Sequence, residues 1–550
     1  MSTAIHDTKK EFCLGLHGSL IIIGFGAVIL LAYHFSNRTL TMHEVLYAQP
    51  AREMLASGDW LIPRIAGEVF SDKPPFTMWL IACSMFLFQS ENEWVVRLPS
   101  SFAYLLTGII IAITAARWFG RRIGILTGLI QLSSFYSLQM GMLAEADMLL
   151  ILSITATFCW FAWTQLNSPA GKLNSKWTPW IFHALVGITF MIKGPIGVLF
   201  ILGGLGLFSC ICFKTSYVRL FIHPGGLLLL IMMILPYPFL AGNYCPQILQ
   251  DWLIHNWGRF RGEMSHLQSK QSIFFYLYHL PLVLLPAAPW FVIGLYRKSI
   301  RREPISLLIL SWLVPGLIIL SCSAWKWKHY MYPLLPGLSI ITAYGLDYYL
   351  NNMHNTLHKY WRPMMLLMII VTTICIVVII ELQPLGMMAL LMLIPFLACI
   401  CLILMEFTYR RCMRLVEPLL LATVLISLIN IILWIMPFHD QYRQNLVFAD
   451  SIHHHIAANQ TLHIANLMYE QITYYVKRPL IGYNDVMKVI ESQSNCSNPM
   501  WLLIKSSEFN ELQKLTKYIQ VACISLARNN KGYSDPLLLV TVHSVQPEGD

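Results

Sequence analysis

Apolar runs of about 20 residues, parted by short polar gaps, recur along this chain from residue 16 onward, and a run of that length is what an α-helix needs to cross a bilayer. The first is 16–34. Later runs fall near 97–116, 123–140, 147–165, 178–192, 195–213, 224–242, 273–296, 304–322, 330–350, 363–381, 386–405 and 417–437, so about thirteen spans are expected. One polar stretch interrupts the rhythm, from Thr41 to Pro75, with Glu44, Arg52, Glu53, Asp59, Arg64, Glu68, Asp72 and Lys73 in close succession. It predicts an ordered loop outside the membrane. Within it Val45, Ala48, Met54 and Leu55 predict a short helix over 44–56 lying along the membrane surface. The apolar piece Phe76–Phe88, about 13 residues, is short for a span and suits an interfacial or re-entrant helix, which extends the first outer loop to 35–96. After 437 the pattern changes to short apolar runs, at 462–465, 501–504, 519–526 and 537–542, between polar stretches such as 507–515. The expected fold is therefore mainly α: a polytopic helical bundle over 1–437, with a second large outer loop at 243–271, and a small soluble α/β domain over 438–550.

Composition agrees, with 56% hydrophobic and 12% charged residues. The net charge of +10 would point to nucleic acid in a soluble protein. Here the cations cluster in alternate gaps between spans, at Lys172 and Lys176, Lys214 and Arg219, Arg297 to Arg302, Lys359 and Arg362, and Arg410 to Arg414. That is the positive-inside signature, so the charge reports topology and no nucleic-acid partner is expected. It places the N-terminus inside and the C-terminal domain outside. Lys9 and Lys10 precede the first apolar run with no small-residue cleavage site after it, the pattern of a retained first helix. Of the 13 Cys most lie in or beside apolar runs, and only Cys496 and Cys523 of the outer domain invite a disulfide.

Ionisable groups recur at the outer mouths of the bundle. Besides the first loop these are Glu145 and Asp147, Lys193, the 243–271 loop with His255, Asn256, Arg259, Arg261, Glu263 and His266, and Lys326, Lys328, His329 and Tyr330. Such groups are costly near membrane depth unless they pair or line a wet cavity, so their concentration on one side predicts a site. Carboxylates among several Lys and Arg suit a phosphorylated substrate, and a cavity open to lipid suits a lipid phosphate.

The stretch Glu44 to Trp60 (EVLYAQPAREMLASGDW), Asp72–Lys73–Pro74–Pro75, EADM at 145–148, Lys193–Gly194–Pro195, Asn256 to Phe260 (NWGRF) and Tyr332 to Pro336 (YPLLP) together resemble, in order, the aminoarabinose transferases of lipid A. These stand with the protein O-mannosyltransferases in the GT-C class of membrane glycosyltransferases. The resemblance implies a bacterial inner-membrane enzyme that takes a sugar, 4-amino-4-deoxy-L-arabinose or a relative, from undecaprenyl phosphate. The acceptor would be a lipid A phosphate at the periplasmic face, a change that confers polymyxin resistance. It implies catalytic roles for Glu44, Asp147 and His43, and phosphate binding by Lys73, Arg52, Lys193, Arg259, Lys326 and Tyr330. The Asp–Glu pair usual in the first outer loop is His43–Glu44 here, and the Glu-Lys-Pro motif is Asp72–Lys73–Pro74. The resemblance fixes no cofactor, but Asp72 and His266 match positions where a relative holds a metal, and would admit a divalent ion such as zinc. A protein Ser or Thr, or another envelope glycan, is the alternative acceptor. A lipid transporter is the alternative of another class, disfavoured because the charged groups gather at one face and no internal repeat is evident.

Overall fold

The computed structural model describes residues 13–34, 38–169, 171–173, 175–254, 258, 271–284, 288–296, 304–324, 326–351, 445–457, 459–464, 470–482, 500–506, 509–510, 519–524 and 537–542. The expected spans at 363–381, 386–405 and 417–437 lie outside these residues.

The chain is mainly helical. Helix α1 (Gly15–His34) matches the first expected span. Glu93–Phe119 (α4), Ala146–Gln165 (α7), Pro195–Cys212 (α9), the run Thr215–Tyr244 and Pro304–Cys322 (α16) are long and apolar enough to cross a membrane. Thr178–Lys193 (α8) is shorter. α4 is central, packing on α1, α7 and the helix that follows it.

Four expected spans are not single α-helices. The 123–140 run is α5 (Arg121–Ser133) and α6 (Phe135–Gly141), parted at Ser134, whose extended backbone breaks the helix and whose hydroxyl donates to the Val283 carbonyl. The 224–242 run is α11 (Pro224–Ile234) and α12 (Pro236–Tyr244), because Pro236 has no N–H for the helical ladder. It is preceded by the short α10 (Thr215–Phe221) and followed by α13 (Pro246–Leu253). The 273–296 run is α14 (Phe275–Val283) and α15 (Ala288–Tyr296). The 330–350 run opens as a 3₁₀ helix, Lys328–Leu334, and only then becomes α17 (Leu335–Asn351). α15 and α17 touch backbone to backbone: a Cβ on Gly294 would overlap the Ile341 carbonyl, and one on Gly345 the Trp290 carbonyl. Only glycine permits that approach.

The polar stretch after α1 is built on α2 (Met42–Ser57), longer than the expected 44–56, with Glu44, Val45, Tyr47, Ala48, Ala51 and Met54 buried. Thr41 and Glu44 form a reciprocal capping box at its start, and Gly58, at φ 75°, ends it. A two-stranded hairpin follows, β1 (Arg64–Ile65) against β2 (Glu68–Val69), turning through Ala66 and Gly67 at φ 53° and 83°. Glu53 anchors that turn by accepting from the Ala66 and Gly67 N–H groups. Phe76–Phe88 is a 13-residue helix, α3, lying against α2 and α4.

Beyond residue 444, α18 (Asn445–His455) and α19 (Glu470–Val476) accompany a five-stranded sheet in the order β4-β3-β5-β7-β6. β3 (Leu462–Ile464) pairs in parallel with β4 (Leu480–Gly482) and β5 (Met500–Lys505). β7 (Leu537–Val542) pairs antiparallel with β5 and β6 (Ile519–Ile524). The four apolar runs expected in this region are strands; β4, three residues long, had no run of its own. Cys496, the expected partner of Cys523, lies outside the described residues. α19 packs on α2, and its tyrosines reach the first loop: Tyr474 donates to the Glu91 carbonyl, and Tyr475 donates to Glu93 and accepts from the Leu40 N–H.

Candidate active site

Five separate elements bring ionisable groups together at one end of the bundle. α2 supplies His43 and Tyr47; the extended Asp72–Lys73–Pro74–Pro75 segment, stiffened by its prolines, supplies Asp72 and Lys73. Glu145 sits at the N-cap of α7 and Asp147 in its first turn, Lys193 is the last residue of α8, and His329, Tyr330 and Tyr332 come from the 3₁₀ helix. A carboxylate at a helix start and an ammonium at a helix end both complement the helix dipoles. Gly194, at φ 73°, turns the chain straight after Lys193 so that α9 can begin at Pro195.

Asp147 and Lys193 form a mostly buried ion pair at 2.6 Å. The Lys193 ammonium also lies 5.8 Å from the centre of the Tyr330 ring. Asp72 and Lys73 pair at 2.8 Å, with the Lys73 ammonium 5.4 Å from the Tyr47 ring centre. These two pairs share a field: Lys73, Lys193, Asp147 and Asp72 all act on His43, and Lys193, Asp147, His43 and Lys73 all act on His329. Burial, reinforced by Lys73, holds the His43 imidazole below its ordinary value, so it is neutral at pH 7. Burial pushes His329 down to about 4. Burial, with the Asp147 and Glu44 carboxylates beside it, pushes Glu145 up to about 8, so it carries a proton at neutral pH. Among the described residues the Glu145 carboxyl makes no hydrogen bond or ion pair. It is an available donor.

Other expected site residues stand elsewhere. Glu44 is fully buried and its oxygens are taken by Arg97, at 2.6 and 3.0 Å, and by the N–H groups of Thr41 and Ala144, at 2.7 and 3.1 Å. Burial opposes its ionisation, but Arg97 outweighs that and holds the carboxyl below its ordinary value. A carboxylate with four donors has no oxygen to spare as a base, so the expected catalytic role gives way to a structural one: Glu44 ties α2 to α4 and to the turn before α7. Arg52 donates to the Tyr474 and Thr473 carbonyls and to Gln49, faces Glu91 at 3.6 Å and lies over the Tyr474 ring, bracing α2 to α19. Lys326 is buried and donates to the Ser323 carbonyl, holding the turn before the 3₁₀ helix. Arg259 and His266 lie outside the described residues. The Asp72 carboxylate of the expected zinc pair is engaged by Lys73, and no group of three or more His, Cys, Asp or Glu residues suited to a metal occurs among the described residues.

Arg97, at the outer edge of the 97–116 apolar run, was not assigned from the sequence. A lone arginine entering an otherwise apolar helix was the available signal. Glu145 and His329 stood out as polar groups but carried no assigned role; their significance depends on burial, which no sequence pattern displays.

Residues 72–239 match the family model described as dolichyl-phosphate-mannose-protein mannosyltransferase. Among curated proteins, the chain is 25% identical over 343 residues to the undecaprenyl phosphate-alpha-4-amino-4-deoxy-L-arabinose arabinosyl transferase 2 of Proteus mirabilis, covering 60% of this chain and 59% of that one. It is 27% identical over 310 residues to the corresponding transferase of Edwardsiella ictaluri, covering 54% of each. The chain thus spans less than two thirds of the length of the curated relatives it matches. Among solved structures, ArnT from Cupriavidus metallidurans superposes in its apo state with a TM-score of 0.74 at 20% identity, over 94% of this chain and 97% of that chain. The same protein bound to undecaprenyl phosphate gives 0.74 at 19% identity, over 96% and 98%. The chain resembles the aminoarabinose transferases in sequence and shares the fold of one of them.

Proposed function

We propose that this protein is a glycosyltransferase of the bacterial inner membrane. It moves an aminoarabinose-type sugar from undecaprenyl phosphate to a phosphate of lipid A at the periplasmic end of the bundle, where the C-terminal domain also lies. The observation that carries this reading is the convergence of the Asp72–Lys73 and Asp147–Lys193 pairs from distant parts of the chain. Lys73 and Lys193 receive the donor phosphate. As an acceptor phosphate oxygen bonds to the anomeric carbon and the bond from that carbon to the donor phosphate oxygen breaks, the electron pair goes to the donor oxygen, and the two ammonium groups, already in place, meet the growing charge. An acceptor phosphate is already ionised and needs no base. Asp147 orients Lys193, Tyr330 lies beside it, and Glu145, carrying its proton, donates a hydrogen bond to a phosphate oxygen where a second carboxylate would repel it. Glu44, through Arg97, positions α2.

Mass spectrometry of lipid A from cells with and without the gene tests the reading. The expected result is sugar on the phosphates only when the gene is present. Unchanged phosphates together with loss of protein-linked sugar would transfer the same site to a hydroxyl acceptor, with neutral His43 as its base.

A further inference from the structure

At the other end of the bundle lies a second concavity, of about 540 Å³, that the proposed reaction does not use. The end of α7, residues 172, 173, 175 and 176 of the loop after it, the start of α8, α10 and the residue capping α11 all contribute to it. Its lining includes Lys172, Lys176, Arg219 and His223, with hydroxyls from Ser175 and Ser216, and no acidic residue.

Among the described residues Lys172 and Arg219 make no ion pair or side-chain hydrogen bond, and Lys176 has only the Trp177 ring, 5.8 Å away. The walls around them, in contrast, are firmly built. Arg117 donates to the Gly171 carbonyl and the Trp118 indole to that of Asn167; His183, buried, sits between α8 and α10 with its ring nitrogens 2.8 Å from the Pro179 carbonyl and 3.1 Å from the Phe221 carbonyl. Trp177, Trp180, Leu173 and Ile222 stand exposed at the rim. Amphipathic indoles beside a ring of cations are the makeup of a membrane interface facing anionic head groups. α7 carries Asp147 in its first turn and ends at Gln165 on this concavity, a rise of about 27 Å at 1.5 Å per residue, close to one hydrocarbon thickness. The concavity therefore faces the leaflet opposite the candidate active site.

We propose that this concavity binds the phosphate head group of an anionic phospholipid of that leaflet, with Lys172, Lys176 and Arg219 on the phosphate and the acyl chains descending past Trp180 and Ile222. Native mass spectrometry of the full chain in detergent, titrated with phosphatidylglycerol or phosphatidylcholine, tests it. The wild type is expected to retain phosphatidylglycerol in preference. Lys172→Gln/Lys176→Gln/Arg219→Gln is expected to lose about 100-fold in affinity, at about fivefold per cation. Should the triple variant not fold, Arg219→Gln alone, expected to lose about fivefold, decides. Equal retention of the two lipids, or variants that bind like the wild type, would overturn the proposal. Displacement of the lipid by millimolar inorganic phosphate would overturn it too, and assign the concavity to a soluble phosphate compound. None of these readouts depends on sugar transfer.

Discussion

Replacing Glu44 by alanine should loosen α2 without touching the two lysine pairs. The change deprives the buried Arg97 guanidinium of its carboxylate, leaving it beside the carbonyls of Arg38 and Thr39, and strips the Thr41 and Ala144 N–H groups of their acceptor. Removing one partner of a buried pair costs about 3–5 kcal/mol. If that loss appears as local opening, exchange of the α2 amides should quicken by about 10² to 10³·⁵, at 1.36 kcal/mol per decade. Hydrogen–deuterium exchange of peptides covering 45–54 reads this directly, since the Val45 N–H is bonded to the Thr41 carbonyl at 3.1 Å. Glu44→Leu with Arg97→Met removes both charges and should recover a large part of the protection. The pH dependence has a definite sign. The folded carboxyl titrates below its ordinary 4.5, so the stability it contributes is complete above that value and is lost as pH falls through the folded pKa. Exchange in Glu44→Ala within about threefold of wild type would refute the assignment of Glu44 as an anchor.

Lys193→Met should lower kcat/KM for sugar transfer by about 10² to 10³, the usual cost of deleting a preorganised charge partner, and an effect under tenfold in a purified assay would remove the pair from the chemistry. Glu145→Gln should keep most activity and abolish the decline that the wild type shows as pH rises through about 8, where the carboxyl ionises; superimposable pH profiles would exclude Glu145 as a donor. Arg52→Ala should leave undecaprenyl phosphate affinity within about threefold of wild type, because only an exposed-pair interaction of about 1 kcal/mol or less is displaced on the ligand side. The same variant should speed limited proteolysis near residues 473–480, where Arg52 holds two carbonyls.

The helical class, the first span, the short Phe76–Phe88 helix and four of the five C-terminal strands were legible, because each is a run of apolar residues with its own length. Lys73, Asp147, Lys193 and Tyr330 were legible because polarity at membrane depth is conspicuous. What escaped was local or distant. Hydropathy does not register a break inside an apolar run, so Ser134 and Pro236 passed as interior residues. Ala66 at positive φ concealed a hairpin whose turn normally advertises itself with Asn or Asp. Arg52 reads as a phosphate ligand, and its bond to a carbonyl 422 positions away is not visible in any local pattern.

The glycine seam between α15 and α17 bears on the placement of His329 and Tyr330. α17 begins at Leu335, the residue after the 3₁₀ helix that carries them, so a helix pair welded at Gly294 and Gly345 stands behind that helix as an anvil. His43 and Tyr47 have a separate support, since α2 and its flanks are held by the buried Glu44–Arg97 pair and braced to α19 through tyrosine hydroxyls and a guanidinium. A bulky residue at Gly345 would therefore misplace His329 and Tyr330 while leaving α2 in position.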